Sequence, residues 1–185
     1  MKSISSGLLA GIAALALGFS SFAAQASVTY SYTGNTFSDA NPPYTTSDKV
    51  TGFITLPTAL APNLTSYTTV VPTAFSFSDG VDTITNTTPG AGSQFFFKTD
   101  ASGNITFWGA TTYVGSTYSF SISTVNAPGV YGTYDLSQHG GGTQAGQSLN
   151  NPGTWTSAPV PEPEAGALVL AGLTLVAAAA LHRKA

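Results

Sequence analysis

The sequence predicts an all-β protein, a small antiparallel sandwich or jelly-roll-like domain, with an N-terminal signal peptide before it and a single C-terminal transmembrane helix after it. Three observations carry the fold class. Apolar and polar residues alternate with period two in several short runs, which sends one face of each run to a core and the other to solvent. Asp79-Gly80 and Asp100-Ala101-Ser102-Gly103-Asn104 separate such runs with residues suited to tight turns. Helical periodicity is missing between them.

Val28, Tyr30 and Tyr32 alternate with Thr29 and Ser31 to give a first strand, and residues 50–56 give a second. Phe75 and Phe77 alternate with Ser76 and Ser78, and Asp79-Gly80 turns that strand back into residues 82–86. Residues 95–99 and 105–110 form a second hairpin around Asp100–Asn104. Tyr118, Phe120 and Ile122 alternate with Ser119, Ser121 and Ser123, so Phe75, Phe77, Tyr118, Phe120 and Ile122 are expected on one apolar side. From Ala127 the pattern loosens. Gly140-Gly141-Gly142 and its Gln, Ser and Asn neighbours predict a mobile loop over residues 139–152, followed by a final short strand at Gly153-Thr154-Trp155-Thr156 pinned by Trp155. Residues 157–164, with three prolines, predict a stiff spacer.

The ends of the chain have their own logic. Lys2, an apolar stretch over residues 8–22 and Ala24-Gln25-Ala26 have the three parts of a secretory signal peptide, with cleavage after Ala26 making Ser27 the first mature residue. Residues 165–181 carry no charge and are just long enough to span a bilayer core, for which roughly 17–25 residues are needed. Arg183 and Lys184 then form a membrane stop that stays on the cytoplasmic side. The chain divides into a signal peptide (1–26), an exported β domain (27–158), a Pro-rich linker (159–164), a transmembrane helix (165–181) and a basic cytoplasmic tail (182–185).

Pro161-Glu162-Pro163 sits directly before that helix, where fixed proline torsions keep the backbone extended and open to an enzyme. The combination of this motif, an apolar helix and a basic end resembles the PEP-CTERM sorting signal of Gram-negative bacteria. The resemblance covers residues 160–185, and the basic end is shorter than the Arg-rich clusters often seen in the family. It implies processing by exosortase, a membrane-embedded cysteine transpeptidase-like enzyme, and an association with exopolysaccharide, biofilm and floc formation.

Composition limits the chemistry of the exported domain. The chain has no Cys, and charged residues are 7% of it, so disulfides and thiol chemistry are excluded and a basic nucleic-acid-binding stripe is missing. Asp135, Ser137 and His139 are the residue types of a hydrolytic triad, but adjacency in sequence does not supply triad geometry, and a polar loop is the plainer reading. Asp79 with Asp82, and Asp100 with Asn104, are better explained as turn formers than as Ca²⁺ ligands or paired glycosidase carboxylates. Tyr113, Tyr118, Tyr131, Tyr134, Trp108 and Trp155 offer ring faces to sugars or, more simply, fill a core. The expectation is a non-enzymatic envelope or matrix protein without cofactor or metal. Its partners would be signal peptidase, an exosortase-type enzyme and exopolysaccharide. A carbohydrate-binding module and a secreted carbohydrate-active hydrolase using Asp residues are the rivals.

Replacing Ala26 by a bulky residue should block maturation, because the small side chain before the cleavage point is lost. Mass spectrometry of the exported protein checks this: the native chain should begin at Ser27, and the variant should retain residues 1–26.

Overall fold

The computed structural model describes residues 27–115, 120–140 and 144–159. These contain twelve strands: β1 (Val28–Thr36), β2 (Asp39–Ala40), β3 (Lys49–Leu56), β4 (Thr68–Val70), β5 (Ala74–Ser78), β6 (Thr83–Thr85), β7 (Ala91–Thr99), β8 (Ile105–Val114), β9 (Phe120–Ala127), β10 (Gly132–His139), β11 (Gln144–Leu149) and β12 (Thr154–Pro159). They form two antiparallel sheets, one of five strands in the order β12-β1-β3-β5-β6 and one of seven in the order β2-β11-β10-β9-β8-β7-β4. The all-β sandwich is therefore present. Among the described residues no helix is long and apolar enough to cross a membrane, and the segments predicted as signal peptide and transmembrane helix lie outside those residues.

Register explains the core. Tyr30 of β1 stands beside Ile54 of β3, which stands beside Phe75 of β5, and the next inward row joins Trp155, Tyr32, Gly52, Phe77 and Ile84. Gly52 carries no side chain because the Phe77 ring lies over it. From the opposite sheet, Phe95 and Phe97 of β7, Trp108 and Ala110 of β8, and Ile122 of β9 face these residues and are buried. Phe95 packs on Phe75 and Phe77 with ring centroids 5.6 and 5.8 Å apart, and Phe97 meets Trp155 edge-on at 5.4 Å. Each such ring, fully withdrawn from water, contributes about 2–3 kcal/mol. The outer face of the five-stranded sheet holds the alternate residues, mostly Ser and Thr, with Thr29 and Thr55 hydrogen-bonded across it at 2.9 Å.

The period-two reading holds for β1, β3, β5 and β12, and Phe75, Phe77 and Ile122 share the core; Phe120 packs against it, partly buried, and Tyr118 lies outside the described residues. Three expectations need correction. Residues 139–152 are not one loop: β10 runs to His139 and β11 occupies 144–149, held by the pairs Asp135↔Ser148 and Ser137↔Gly146. The spacer expected from residue 157 begins later, because Ser157, Ala158 and Pro159 pair with Tyr30, Thr29 and Val28; proline is tolerated at the end of an edge strand, where no ladder donor is needed. Ser121, expected to face out to solvent beside Ile122, is buried.

Gly153 precedes β12 beneath the Thr33 carbonyl and the Tyr32 hydroxyl, and a Cβ there would fall inside contact distance of the Thr33 oxygen. That backbone cannot yield without opening the β1–β12 ladder. Gly153→Ala should cost about 1–3 kcal/mol of stability, read as a lower urea midpoint at unchanged slope.

Candidate functional site

Strand β10 brings Asp135, Ser137 and His139 onto the inner face of the seven-stranded sheet, as period two requires, with Asp135 and Ser137 fully buried. The three side chains do not engage one another. Asp135 Oδ1 accepts a 2.7 Å hydrogen bond from the Tyr32 hydroxyl, whose oxygen in turn accepts one from the Gly153 amide at 2.9 Å. Ser137 Oγ donates to Asp79 Oδ2 and lies 3.0 Å from the Tyr44 hydroxyl, which also donates to Asp79 Oδ2 at 3.0 Å. His139 Nε2 is 2.7 Å from Asp82 Oδ2, and its ring lies 4.3 Å from that of Phe120. A triad needs its base beside its nucleophile. Here the serine is closed off by a carboxylate and the histidine is paired elsewhere.

The remaining carboxylates are equally committed. Asp79 forms the expected turn, its Oδ1 accepting from the Val81 and Asp82 amides at 2.9 and 2.7 Å while Gly80 takes φ +94°. Its second oxygen turns inward to Tyr44 and Ser137, so one residue shapes the hairpin and closes the core. Asp100 accepts from the Ser102 and Asn104 amides and from Asn104 Nδ2 at 2.8–3.0 Å. Those bonds, the Asn104 side chain foremost, hold its exposed carboxyl below the usual carboxylate range. No cluster of three potential metal ligands occurs among the described residues.

Burial governs the inner titratable groups. It pushes the Asp135 carboxyl up to about 6, with the Tyr32 hydrogen bond pulling the other way, and it raises both tyrosine hydroxyls, Tyr32 reinforced by the charge of Asp135 and Tyr44 by that of Asp79. Asp135 Oδ2 is buried without a hydrogen-bond partner among the described residues, beside Gly34, whose missing side chain makes room for it. No protein family, curated protein or solved structure matches this chain.

Of the aromatic residues that could meet a sugar, Trp108 is buried with Nε1 donating to Thr124 at 2.9 Å, and Trp155 packs against Tyr32, Phe77 and Phe97. Tyr113 lies over Gly92, and Tyr131 is 59% exposed. Tyr131 joins Tyr67 and Phe96 in a cluster on the outer face of the seven-stranded sheet, which the sequence pattern concealed because Tyr67 lies outside any periodic run. The rings are inclined to one another at 86°, 59° and 52°, unlike the coplanar platform expected of a lectin-like module.

The sorting residues meet the structure at its edge. Ala24, Ala26, Pro161, Glu162, Pro163, Arg183 and Lys184 lie outside the described residues, and Ser27 immediately precedes β1. Val28 pairs with Pro159 on one side and with Leu56 on the other, at one end of the five-stranded sheet. The two segments that flank the domain are thus joined to neighbouring strands at one end of the sandwich, two residues from Ala26 on one side and two from Pro161 on the other.

A carboxyl whose folded pKa is raised binds its proton more tightly in the folded state. Its contribution to stability is complete below the ordinary carboxylate range and is lost as pH rises through about 6. Asp135→Asn should therefore remove a pH dependence: between about pH 4 and pH 7 the native protein should lose up to about 3 kcal/mol relative to the variant. Paired denaturation curves across that window measure the difference.

Proposed function

We propose that this chain is an exported, membrane-anchored envelope or extracellular-matrix protein. In this reading signal peptidase cuts after Ala26, residues 165–181 hold the β domain to the inner membrane, and an exosortase-type enzyme acts at Pro161-Glu162-Pro163 to deliver it to the cell surface or beyond. Its role there is structural or adhesive, with exopolysaccharide as the partner, and not catalytic.

The observation that carries the proposal is the Val28–Pro159 pairing. A signal peptide at one end and an anchor at the other both lead toward the same membrane, and adjacent antiparallel strands let the two flanking segments leave the domain from one end without a long connection. The carboxylates support the non-enzymatic reading in their own way, because Asp79, Asp100 and Asp135 are each spent on internal hydrogen bonds. The hydroxyl-rich outer face of the five-stranded sheet suits contact with a hydrated polymer. The carbohydrate-binding-module alternative would draw on the Tyr67, Phe96 and Tyr131 cluster, whose ring inclinations fit it poorly.

Changing Pro161-Glu162-Pro163 to three alanines should leave the thermal unfolding of the β domain unaltered, since the motif begins beyond the last paired residue, Pro159. Full-length protein should accumulate in the inner membrane of a host that makes exosortase. Delivery at the native rate, seen by cell fractionation, would show the terminus to be a plain anchor.

A further inference from the structure

We propose that the free edge of β12 pairs with β12 of a second copy of this chain, joining the two five-stranded sheets into one continuous sheet. The pairing concerns what the folded domain binds, and it does not depend on how the ends of the chain are processed.

The two sheets have four edges, and the edges are unlike. Strands β2, β4 and β6 are two, three and three residues long, whereas β12 has six. Shortness protects an exposed edge from pairing with another chain, as do charged side chains, a bulge or an interior proline. Strand β12 has none of these protections. Its residues 154–158 carry no charge, its register with β1 runs unbroken, and its one proline, Pro159, stands at the end.

In an antiparallel ladder every second residue of an edge strand turns its amide and carbonyl away from the neighbouring strand. Along residues 154–158 no backbone group bonds to anything but β1 among the described residues. Thr154, Thr156, Ser157 and Ala158 are exposed, so nothing among those residues covers the edge. A row of unpaired amides and carbonyls at strand spacing is complemented along its whole length by another strand.

The strand fits itself. Thr154, Thr156 and Ala158 lie on the outer face, opposite Thr33, Ser31 and Thr29 of β1, while Trp155 lies on the inner face opposite Tyr32. A two-fold axis through Thr156 sets that residue beside its own copy, Thr154 beside Ala158, and Trp155 beside Ser157. This register keeps inner residues beside inner residues and uses the whole stretch between Gly153 and Pro159. No like charges meet, threonine faces threonine, and the one large ring meets a small side chain. Because the paired strands are antiparallel, the two chains leave the joined sheet at opposite ends, and neither obstructs the other. An isologous contact of this kind closes at two copies. A seam one strand wide is small against the roughly 1,200–2,000 Å² of a stable interface, so the dimer forms at high local concentration.

The chain has no Cys, so an introduced thiol can be oxidised only with its counterpart in another copy. The full chain in detergent, at high protein concentration, would carry Thr156→Cys or, as a control at the other edge of the same sheet, Thr83→Cys; both residues are exposed. Residues directly opposite in an antiparallel pair approach to about 4.5–5.5 Å between Cα atoms, within the range a disulfide accepts. Under mild oxidation the Thr156→Cys chain should form covalent dimers about tenfold faster than the Thr83→Cys chain. Thr156→Lys and Thr156→Glu should each abolish the dimer in sedimentation, since like charges then face each other across the axis, and mixing the two variants should restore it. Loss of folding could not produce that rescue. Equal cross-linking at the two positions, or dimers that persist in Thr156→Lys alone, would overturn the pairing. Either result would leave the sorting of the chain untouched, which processing at Pro161-Glu162-Pro163 tests by itself.

Discussion

Tyr32 is the joint on which the sandwich closes. Its ring lies 5.2 Å from Trp155 in its own sheet and 5.9 Å from Trp108 in the other, and its hydroxyl simultaneously donates to Asp135 and accepts from the Gly153 amide. One side chain thereby fixes the last strand beside the first, sets the spacing between sheets and satisfies one oxygen of a buried carboxylate. A buried carboxylate without that donor would bear its desolvation alone, a cost far above the net worth of an ordinary hydrogen bond. Tyr44, from the loop before β3, braces a second link, in which Ser137 bonds Asp79 directly. In a domain with no disulfide, the Tyr32–Asp135, Ser137–Asp79 and His139–Asp82 bonds supply specific polar links between the two halves of the sandwich, while rings supply most of the burial.

These links account for what could and could not be read along the chain. Strands β1, β3, β5 and β12 alternate aromatic or aliphatic residues with Thr and Ser, so their inner face announces itself. Strand β10 inverts the code: its inner positions are Asp135, Ser137 and His139, while Leu136 points the other way. Its neighbour β11 contributes Gly146 and Ser148 to the inner side, glycine because the Phe37 ring occupies the space of a Cβ. Nothing apolar marks the inner face of either strand, and the glycine tract beside them reads as a loop. Strands β2 and β4, two and three residues long, are too short to show any period.

The candidate site was legible to the same degree. Alternation alone places Asp135, Ser137 and His139 on one face, but their true partners, Tyr32, Asp79, Tyr44 and Asp82, come from strands and turns some 57 to 103 residues away. Local pattern carries no information about such pairs. The turns were legible because their chemistry is local: Asp79-Gly80 and Asp100–Asn104 are satisfied by amides two to four residues away. What the sequence did not disclose about Asp79 is its second oxygen, which faces across the core.

Strand β12 lies at the edge of its sheet, bonded along its length to β1 and ending where the chain leaves the domain. A pull applied through the residues beyond Pro159 therefore runs along the axis of β12. It loads the whole β1–β12 ladder in shear instead of opening it one pair at a time, and the Gly153–Tyr32 bond at the trailing end shares the load. Shear is the direction in which paired strands resist best. Under such a pull the last strand would act as a mechanical coupling as well as a wall of the core.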